Sequence, residues 1–126
     1  SATIRLDEVS VMLDHVTIIG QWGRYVDGIL FIRPSGPVFL RGVNISNAGG
    51  SGIVVSEAKR ISSFADVNIH GCYREGLVIR YSKEAVIVRS TFDGNGESSE
   101  VNSQVYSYGG KGCYFVDIFL VFQELR

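Results

Sequence analysis

The sequence predicts an all-β protein, a parallel β-solenoid of about four to five coils with three short strands in each coil. Three glycines, Gly28, Gly52 and Gly76, recur at one constant spacing, and each opens an apolar segment ("GILF", "GIVV", "GLVI"). The apolar positions are mostly β-branched, and "EAVIVRSTF" alternates with period two, as strands do. A strict repeat of ~24 residues is typical of stacked coils in which each coil contacts its neighbours.

Each repeat contains two further strand-like segments. The second strands are predicted at 38–40, 61–65 and 85–88, and the third at 43–45 and 67–69. The step from 16–18 to 43–45 is longer than the step from 43–45 to 67–69, which predicts a longer turn in the first coil. Gly112 opens the next glycine-plus-apolar segment, but it comes half a repeat too late after Gly76. We therefore expect an insertion of half a coil between Asp93 and Gly112.

Equivalent residues of a solenoid form columns with a spacing of ~4.8 Å. The predicted inward columns are Val43–Val67, Ile45–Ile69 and Ile29–Ile53–Leu77, with the Asn44–Asn68 pair pointing outward. The glycine column fits a turn that needs positive φ or a place with no room for a side chain. An antiparallel sandwich is the alternative fold, but it does not predict a register that recurs at a constant period.

Composition limits the function classes. The chain has 126 residues and a net charge of −1, so we expect one domain over 1–126, complete or part of a longer chain, with no general attraction to nucleic acid. No apolar run is long enough for a membrane-spanning helix, and no membrane partner is expected. Cys72 and Cys113 are expected to be free thiols, with a single bridge as the alternative. His15 and His70 lack partners at ligand spacing, so no metal or cofactor is predicted.

The stretch from "GIVVSEAKRISSF" through "DVNIHGCYREGLVI" to "STFDGNG" resembles the right-handed parallel β-helices of pectate-lyase-like proteins, over roughly 14–96. The opening coil is similar in style to the β-helices of bacteriophage tailspikes. The resemblance implies a right-handed parallel β-helix on a virion or extracellular surface, made in the cytoplasm. It also implies a polysaccharide or glycan partner and a homo-oligomer, a trimer in tailspikes. The catalytic motifs of pectate lyases and polygalacturonases are not found, so no active site is transferred.

Two patterns could support cleavage of a glycan, by a glycoside hydrolase or polysaccharide lyase. Ser46, His70 and Asp93 follow equivalent strands and could place nucleophile, base and acid side by side, although turns are often polar for conformational reasons. A carboxylate pair is the second pattern, because glycoside hydrolysis uses two acids ~5–9.5 Å apart. Its candidates are Asp66, Glu75, Asp93 and Glu97, and Asp66 could instead form an ion pair with Arg89. Our predicted catalytic residues are Asp66, His70, Asp93 and Glu97.

Two segments outside the strict repeat are candidates for glycan binding. The expected insertion carries Asn102, Tyr106 and Tyr108, and the long first turn carries Trp22, Arg24 and Tyr25. Aromatic rings stack on sugar rings, and polar groups bond hydroxyls. The alternatives are a flexible loop and a hydrophobic plug over the end of the coil.

The final apolar segment, "YFVDIFLVFQELR", is predicted to be a strand with Ile118, Leu120 and Phe122 on one face and Phe119 and Val121 on the other. A strand that is apolar on both faces needs a cap or another chain. We therefore expect a polysaccharide-binding or polysaccharide-degrading β-helix, with a non-catalytic structural β-helix for oligomer or particle assembly as the alternative.

Overall fold

The chain forms three parallel five-stranded sheets, stacked as the sides of a solenoid. The computed structural model describes residues 1–96, 104–116 and 119–121. Sheet 1 consists of β1 (Ala2–Asp7), β4 (Asp27–Ile32), β7 (Ile53–Ser56), β10 (Leu77–Arg80) and β13 (Val105–Tyr108). Sheet 2 consists of β2 (Met12–Asp14), β5 (Phe39–Arg41), β8 (Ser62–Ala65), β11 (Ala85–Val88) and β14 (Cys113–Val116). Sheet 3 consists of β3 (Thr17–Ile19), β6 (Asn44–Ser46), β9 (Asn68–His70), β12 (Thr91–Asp93) and β15 (Phe119–Val121).

Each strand pairs with its equivalent in the neighbouring coil, and the pairing is parallel. Ile53 lies between Ile29 and Leu77, and Ile45 pairs with Ile69. The predicted parallel solenoid of three strands per coil and four to five coils is therefore confirmed, and the antiparallel alternative is wrong. The long turn of the first coil is also confirmed. Thr17 pairs with Asn44, and Asn44 pairs with Asn68. More residues separate the first pair along the chain than the second pair, so the first coil is the longer one.

The inward columns build the core. Ile29, Ile53 and Leu77 are at most 1% exposed, as are Val43, Ile45, Val67 and Ile69. Asn44 points outward as predicted, and its amide oxygen accepts a hydrogen bond of 3.1 Å from Asn68 Nδ2. The polar ladder therefore lies on the surface while the apolar columns fill the interior, as the alternating pattern requires.

The corners of the coils contain single residues in the left-handed conformation, which bends the backbone between sheets. They have φ values between 45° and 68° and recur at equivalent places in successive coils. Between sheets 1 and 2 they are Glu8, Arg33, Glu57, Tyr81 and Gly109; between sheets 2 and 3 they are His15, Gly42, Asp66 and Arg89; after sheet 3 they are Asn47, Gly71 and Gly94. Since most are not glycine, the stacked backbone hydrogen bonds must offset the local strain.

The Gly28–Gly52–Gly76 column is explained by lack of room. None of the three has positive φ. A Cβ at Gly52 would lie 2.5 Å from Ile69 Cγ2 and 2.6 Å from the Gly76 carbonyl oxygen. The strand of the next coil therefore excludes any side chain there.

The expected alignment of Gly112 with Gly76 is wrong. Leu77 pairs with Val105 and Ala85 pairs with Cys113, so sheets 1 and 2 both take the same, slightly longer step into the last coil. "GCYF" therefore follows the corner into sheet 2, and Gln104 takes the place expected for a glycine. The excess over the regular repeat is a small fraction of a coil rather than half of one.

The final apolar segment is not one strand. Cys113–Val116 pairs in sheet 2 and Phe119–Val121 pairs in sheet 3, so the two strands belong to different sheets. The predicted orientations of Ile118 and Phe122 lie outside the described residues. Cys72 and Cys113 are both free. Within the described ranges, no helix is long and apolar enough to cross a membrane.

Candidate functional site

The predicted Ser46–His70–Asp93 column exists as a backbone alignment at the end of sheet 3. Ser46 pairs with His70, and His70 pairs with Asp93. His70 is exposed, Ser46 and Asp93 are partly buried, and no hydrogen bond joins the side chains of these three described residues. The backbones of the three residues are therefore aligned, but their side chains are not joined by the hydrogen bonds that link a catalytic triad. The catalytic roles of His70 and Asp93 stay predictions, and Glu97 lies outside the described residues.

Asp66 lies at the other corner of sheet 3 and forms the ion pair expected for it. Arg89 Nε and Nη2 donate to its two carboxylate oxygens at 3.1 and 3.3 Å. About half of each side chain is exposed, so the pair stabilises the fold only slightly. Asp66 precedes strand β9 at one corner of sheet 3 and His70 is the last residue of β9, at most ~13 Å apart along the backbone, so the fold places these two at different corners.

An aromatic cluster covers the long first turn. Trp22 Nε1 donates a 2.9 Å hydrogen bond to the Gly71 carbonyl oxygen, two coils away. The Tyr73 ring meets the Trp22 ring edge-on at 5.4 Å between centroids, and the Tyr25 ring at 6.2 Å. With Gly23, Arg24 and Gly49, these rings line a depression of about 270 Å³. The predicted grouping of Trp22, Arg24 and Tyr25 is therefore present, and it lies along the side of the solenoid.

Tyr73 was missed by sequence reasoning because its partners are distant in the chain. Because Gly49 has no side chain, the first turn can pack directly against it. A Cβ at Gly49 would collide with the Arg24 carbonyl oxygen and would lie 2.9 Å from the Gln21 carbonyl oxygen. The first turn can therefore fold across the second coil and reach Tyr73 in the third. A glycine placed one repeat before a tyrosine is the only sequence sign of this arrangement.

The outer face of sheet 1 carries a second, larger groove of about 400 Å³. Its lining residues are Asp27, Ser51, Val54, Arg74, Glu75, Val78, Arg80, Tyr106 and Tyr108. Tyr106 and Tyr108 belong to β13, so their expected place in an inserted loop is wrong. Asn102 lies outside the described residues.

A polar column runs along the floor of the groove. The Ser51 backbone N–H donates to Asp27 Oδ1 at 2.8 Å, and Ser51 Oγ donates to Glu75 Oε1 at 2.9 Å. Asp27, Ser51 and Glu75 occupy equivalent places in successive coils, each directly before a glycine of the column. Sequence reasoning considered Glu75 and missed Asp27, although this register could have identified both.

The two carboxylates have different surroundings. Burial raises the pKa of Asp27, although the hydrogen bond from Ser51 opposes the shift. Glu75 faces the Arg74 guanidinium, with Nε 3.9 Å from Oε1. Carboxylates in contrasting environments can divide into an acid and a base. Two coils separate them, ~9.6 Å between backbones, near the range used by glycoside hydrolases.

Arg74 and a row of tyrosines join these surfaces into one band. Arg74 lines the groove, and its Cζ lies 5.6 Å from the centroid of the Tyr25 ring, so it contacts the aromatic cluster. At the other end, Tyr108 lies 5.1 Å from Tyr106 and 5.4 Å from Tyr81, between ring centroids. We call this surface, from Trp22 through the groove to Tyr81, the aromatic band. It presents aromatic rings, carboxylates and guanidinium groups along one side of the solenoid.

Over the described residues, no group of three or more His, Cys, Asp and Glu side chains is placed to hold a metal ion.

The chain matches the family model described as "Right handed beta helix region" over residues 4–117. Comparison with curated proteins and with solved structures found no match. Since the family match spans most of the chain and the strands stack as parallel coils, the protein belongs to the right-handed β-helix family.

Proposed function

We propose that this β-helix binds a polysaccharide along the aromatic band. The observation that carries the proposal is the groove on sheet 1, which Tyr106 and Tyr108 line together with Asp27, Glu75 and Arg80. Ring faces stack on the apolar faces of sugars, and the charged groups bond hydroxyls. A band that is longer than one pocket suits a polymer better than a single small molecule.

The rigidity of the groove supports the proposal. Ser51 is 5% exposed and its hydrogen bonds hold both carboxylates in place. The tyrosines stand on a strand rather than on a loop, and they pack against each other. Groups that are already ordered lose less freedom on binding, which favours affinity.

The test is a titration of the protein with a panel of oligosaccharides, followed by calorimetry or NMR. Tyr106→Ala and Tyr108→Ala should each weaken binding roughly five- to tenfold, since a lost ring contact is worth ~1 kcal/mol. Ile19→Ala is the control, because Ile19 is 77% exposed and lies on sheet 3, away from the groove. If the folded protein bound none of the oligosaccharides, the proposal would be refuted.

The groove also supports cleavage of the bound glycan. Asp27, with its raised pKa, would protonate the glycosidic oxygen while Glu75 takes a proton from the attacking water. The water oxygen then bonds to the anomeric carbon as the glycosidic C–O bond breaks. Asp27→Asn should abolish release of reducing ends while glycan affinity is retained. Equal loss of activity in His70→Ala alone would instead favour the residues predicted from the sequence.

A role in assembly is the second candidate, favoured by the outer face of sheet 2. Met12, Phe39 and Tyr114 occupy one column and are 60%, 48% and 64% exposed. Phe39 also lines an apolar depression of about 250 Å³. We propose a homo-oligomer through this face, a trimer by the resemblance to tailspikes, on a virion or extracellular surface.

Sedimentation equilibrium tests the assembly proposal. Phe39→Ser should shift the protein towards monomer, and Ile19→Ser, at a 77% exposed position on sheet 3, is the control. A wild-type protein that is monomeric at every concentration would exclude assembly through sheet 2.

A further inference from the structure

Three lysines recur at one place in successive coils, in the turns between sheets 1 and 2. The Lys83 backbone N–H donates to the Ala58 carbonyl oxygen at 2.9 Å, and the Lys111 N–H donates to the Ser82 carbonyl oxygen at 3.1 Å. These bonds place Lys59, Lys83 and Lys111 in a column with a backbone spacing of ~4.8 Å. All three side chains are exposed. We call this set the lysine column.

The lysine column has no carboxylate partner among the residues that the structure describes. Glu57, on the same turn as Lys59, lies 3.8 Å from Arg33, in the direction away from the column. Glu84 follows Lys83 and is partly buried, without an ion pair to any described residue. Three cations stacked at this spacing repel one another. Their charge is best compensated by anions that recur along the solenoid axis.

The column borders a shallow depression that continues the aromatic band. The depression has a volume of about 610 Å³, and Tyr81, Ser82, Gly109 and Gly110 line it together with the three lysines. Tyr81 is 60% exposed and contacts Tyr108 of the groove. Gly110 packs directly on the backbone of the preceding coil, since a Cβ there would lie 2.7 Å from Ser82 N, so this position adds no side chain to the depression. A ligand that leaves the groove past Tyr81 therefore meets the lysines directly.

We propose that the lysine column is a recognition site for anionic groups, sulfates or carboxylates, carried by a polysaccharide. The inference rests on the proposed function and names its substrate class: an acidic glycan whose charged groups meet the column while its sugar rings lie on the band. A nucleic acid fits less well. The net charge is −1, and the groove beyond Tyr81 carries Asp27 and Glu75, which repel an unbroken row of phosphates.

The test compares two triple variants with the wild type. Lys59→Gln/Lys83→Gln/Lys111→Gln removes the charge, and the matched Lys→Arg triple variant keeps it. The probes are a heparin hexasaccharide for sulfate, a hexagalacturonate for carboxylate and maltohexaose as a neutral oligosaccharide. The glutamine variant should bind at least one acidic probe roughly tenfold more weakly, with a shallower dependence on salt. The arginine variant should bind like the wild type, and affinity for any neutral glycan should not change.

The outcomes separate this inference from the proposed function. If the glutamine variant binds the acidic probes normally while Tyr106→Ala weakens them, the lysine column is not a site and the band still is. If wild type binds none of a broad oligosaccharide panel, both proposals fail. Tighter binding of a short DNA duplex than of either acidic probe would overturn the inference in favour of nucleic acid. Urea unfolding of each variant establishes that its fold is intact.

Discussion

Gly52→Ala tests why the repeat retains a glycine before each first strand. Gly52 has no positive φ, so the substitution places no strain on the backbone conformation. The new Cβ would lie 2.6 Å from the Gly76 carbonyl oxygen, well inside the 3.4 Å at which ordinary contacts begin. That oxygen accepts the 2.9 Å hydrogen bond from Ile53 N, which joins neighbouring coils.

The cost follows from these two contacts. Overpacking in a rigid interior costs ~1–3 kcal/mol, and weakening one backbone hydrogen bond adds ~0.5–1.5 kcal/mol. We therefore expect Gly52→Ala to lower the free energy of unfolding by roughly 3 kcal/mol. Urea unfolding followed by circular dichroism measures it, with the midpoint falling and the slope unchanged.

Gly36→Ala is the matched control. Gly36 also lacks positive φ, and its new Cβ would meet the Ser10 side chain, whose Oγ lies 2.7 Å away and can rotate. The control should change stability by less than ~1 kcal/mol. If Gly52→Ala were as stable as Gly36→Ala, the argument from lack of room would be refuted, and turn formation would be the better explanation of the column.

Three further predictions concern single side chains. Asn95→Ala should cost ~2–4 kcal/mol, because Asn95 accepts from Cys72 N and donates to the Ile69 carbonyl oxygen and the Gln104 side chain. Asn44→Ala, at an exposed position, should cost under ~0.5 kcal/mol in the same urea assay, and equal losses would contradict the reasoning. Burial raises the pKa of Asp27, so its contribution to stability is full below the ordinary value near 3.8 and is lost as pH rises through the folded value. Asp27→Asn should therefore gain stability relative to wild type between acid and neutral pH in urea titrations, and parallel curves would count against it. Burial also raises the pKa of Cys72 to about 11. A disulfide reagent at pH 8 should therefore label this thiol ~100-fold more slowly in the native than in the unfolded protein. Comparable rates would show that the thiol is accessible.

The repeat allowed the scaffold to be predicted residue by residue from Val16 to Asp93, but it did not identify β1 and β2. Parallel in-register stacking places equivalent residues on one another, so the constant period by itself determines which residues pair. Prediction failed at Gly112, because "GCYF" has the same local pattern as "GLVI" but follows a different corner. Local pattern identifies a strand without telling to which sheet it belongs.

The candidate site was only partly predictable. Trp22 and Tyr25 were identified because they interrupt the repeat, whereas Tyr73 joins them only through the fold of the first turn over Gly49. Tyr106 and Tyr108 were expected in a loop, and the register of β13 places them on the face of sheet 1. Asp27 and Glu75 are two full repeats apart in the chain, yet both contact Ser51.

The sequence alone determined the coil length, the inward columns and the outward Asn44–Asn68 ladder, because each depends on one period and on the alternation of side chains along a strand. Only the tertiary structure decided which outward residues form a surface together. Neighbours across a solenoid face come from different coils and different corners, and their contacts depend on which sheet each strand joins and how each turn folds. The groove, the aromatic band and the lysine column all arise from that placement.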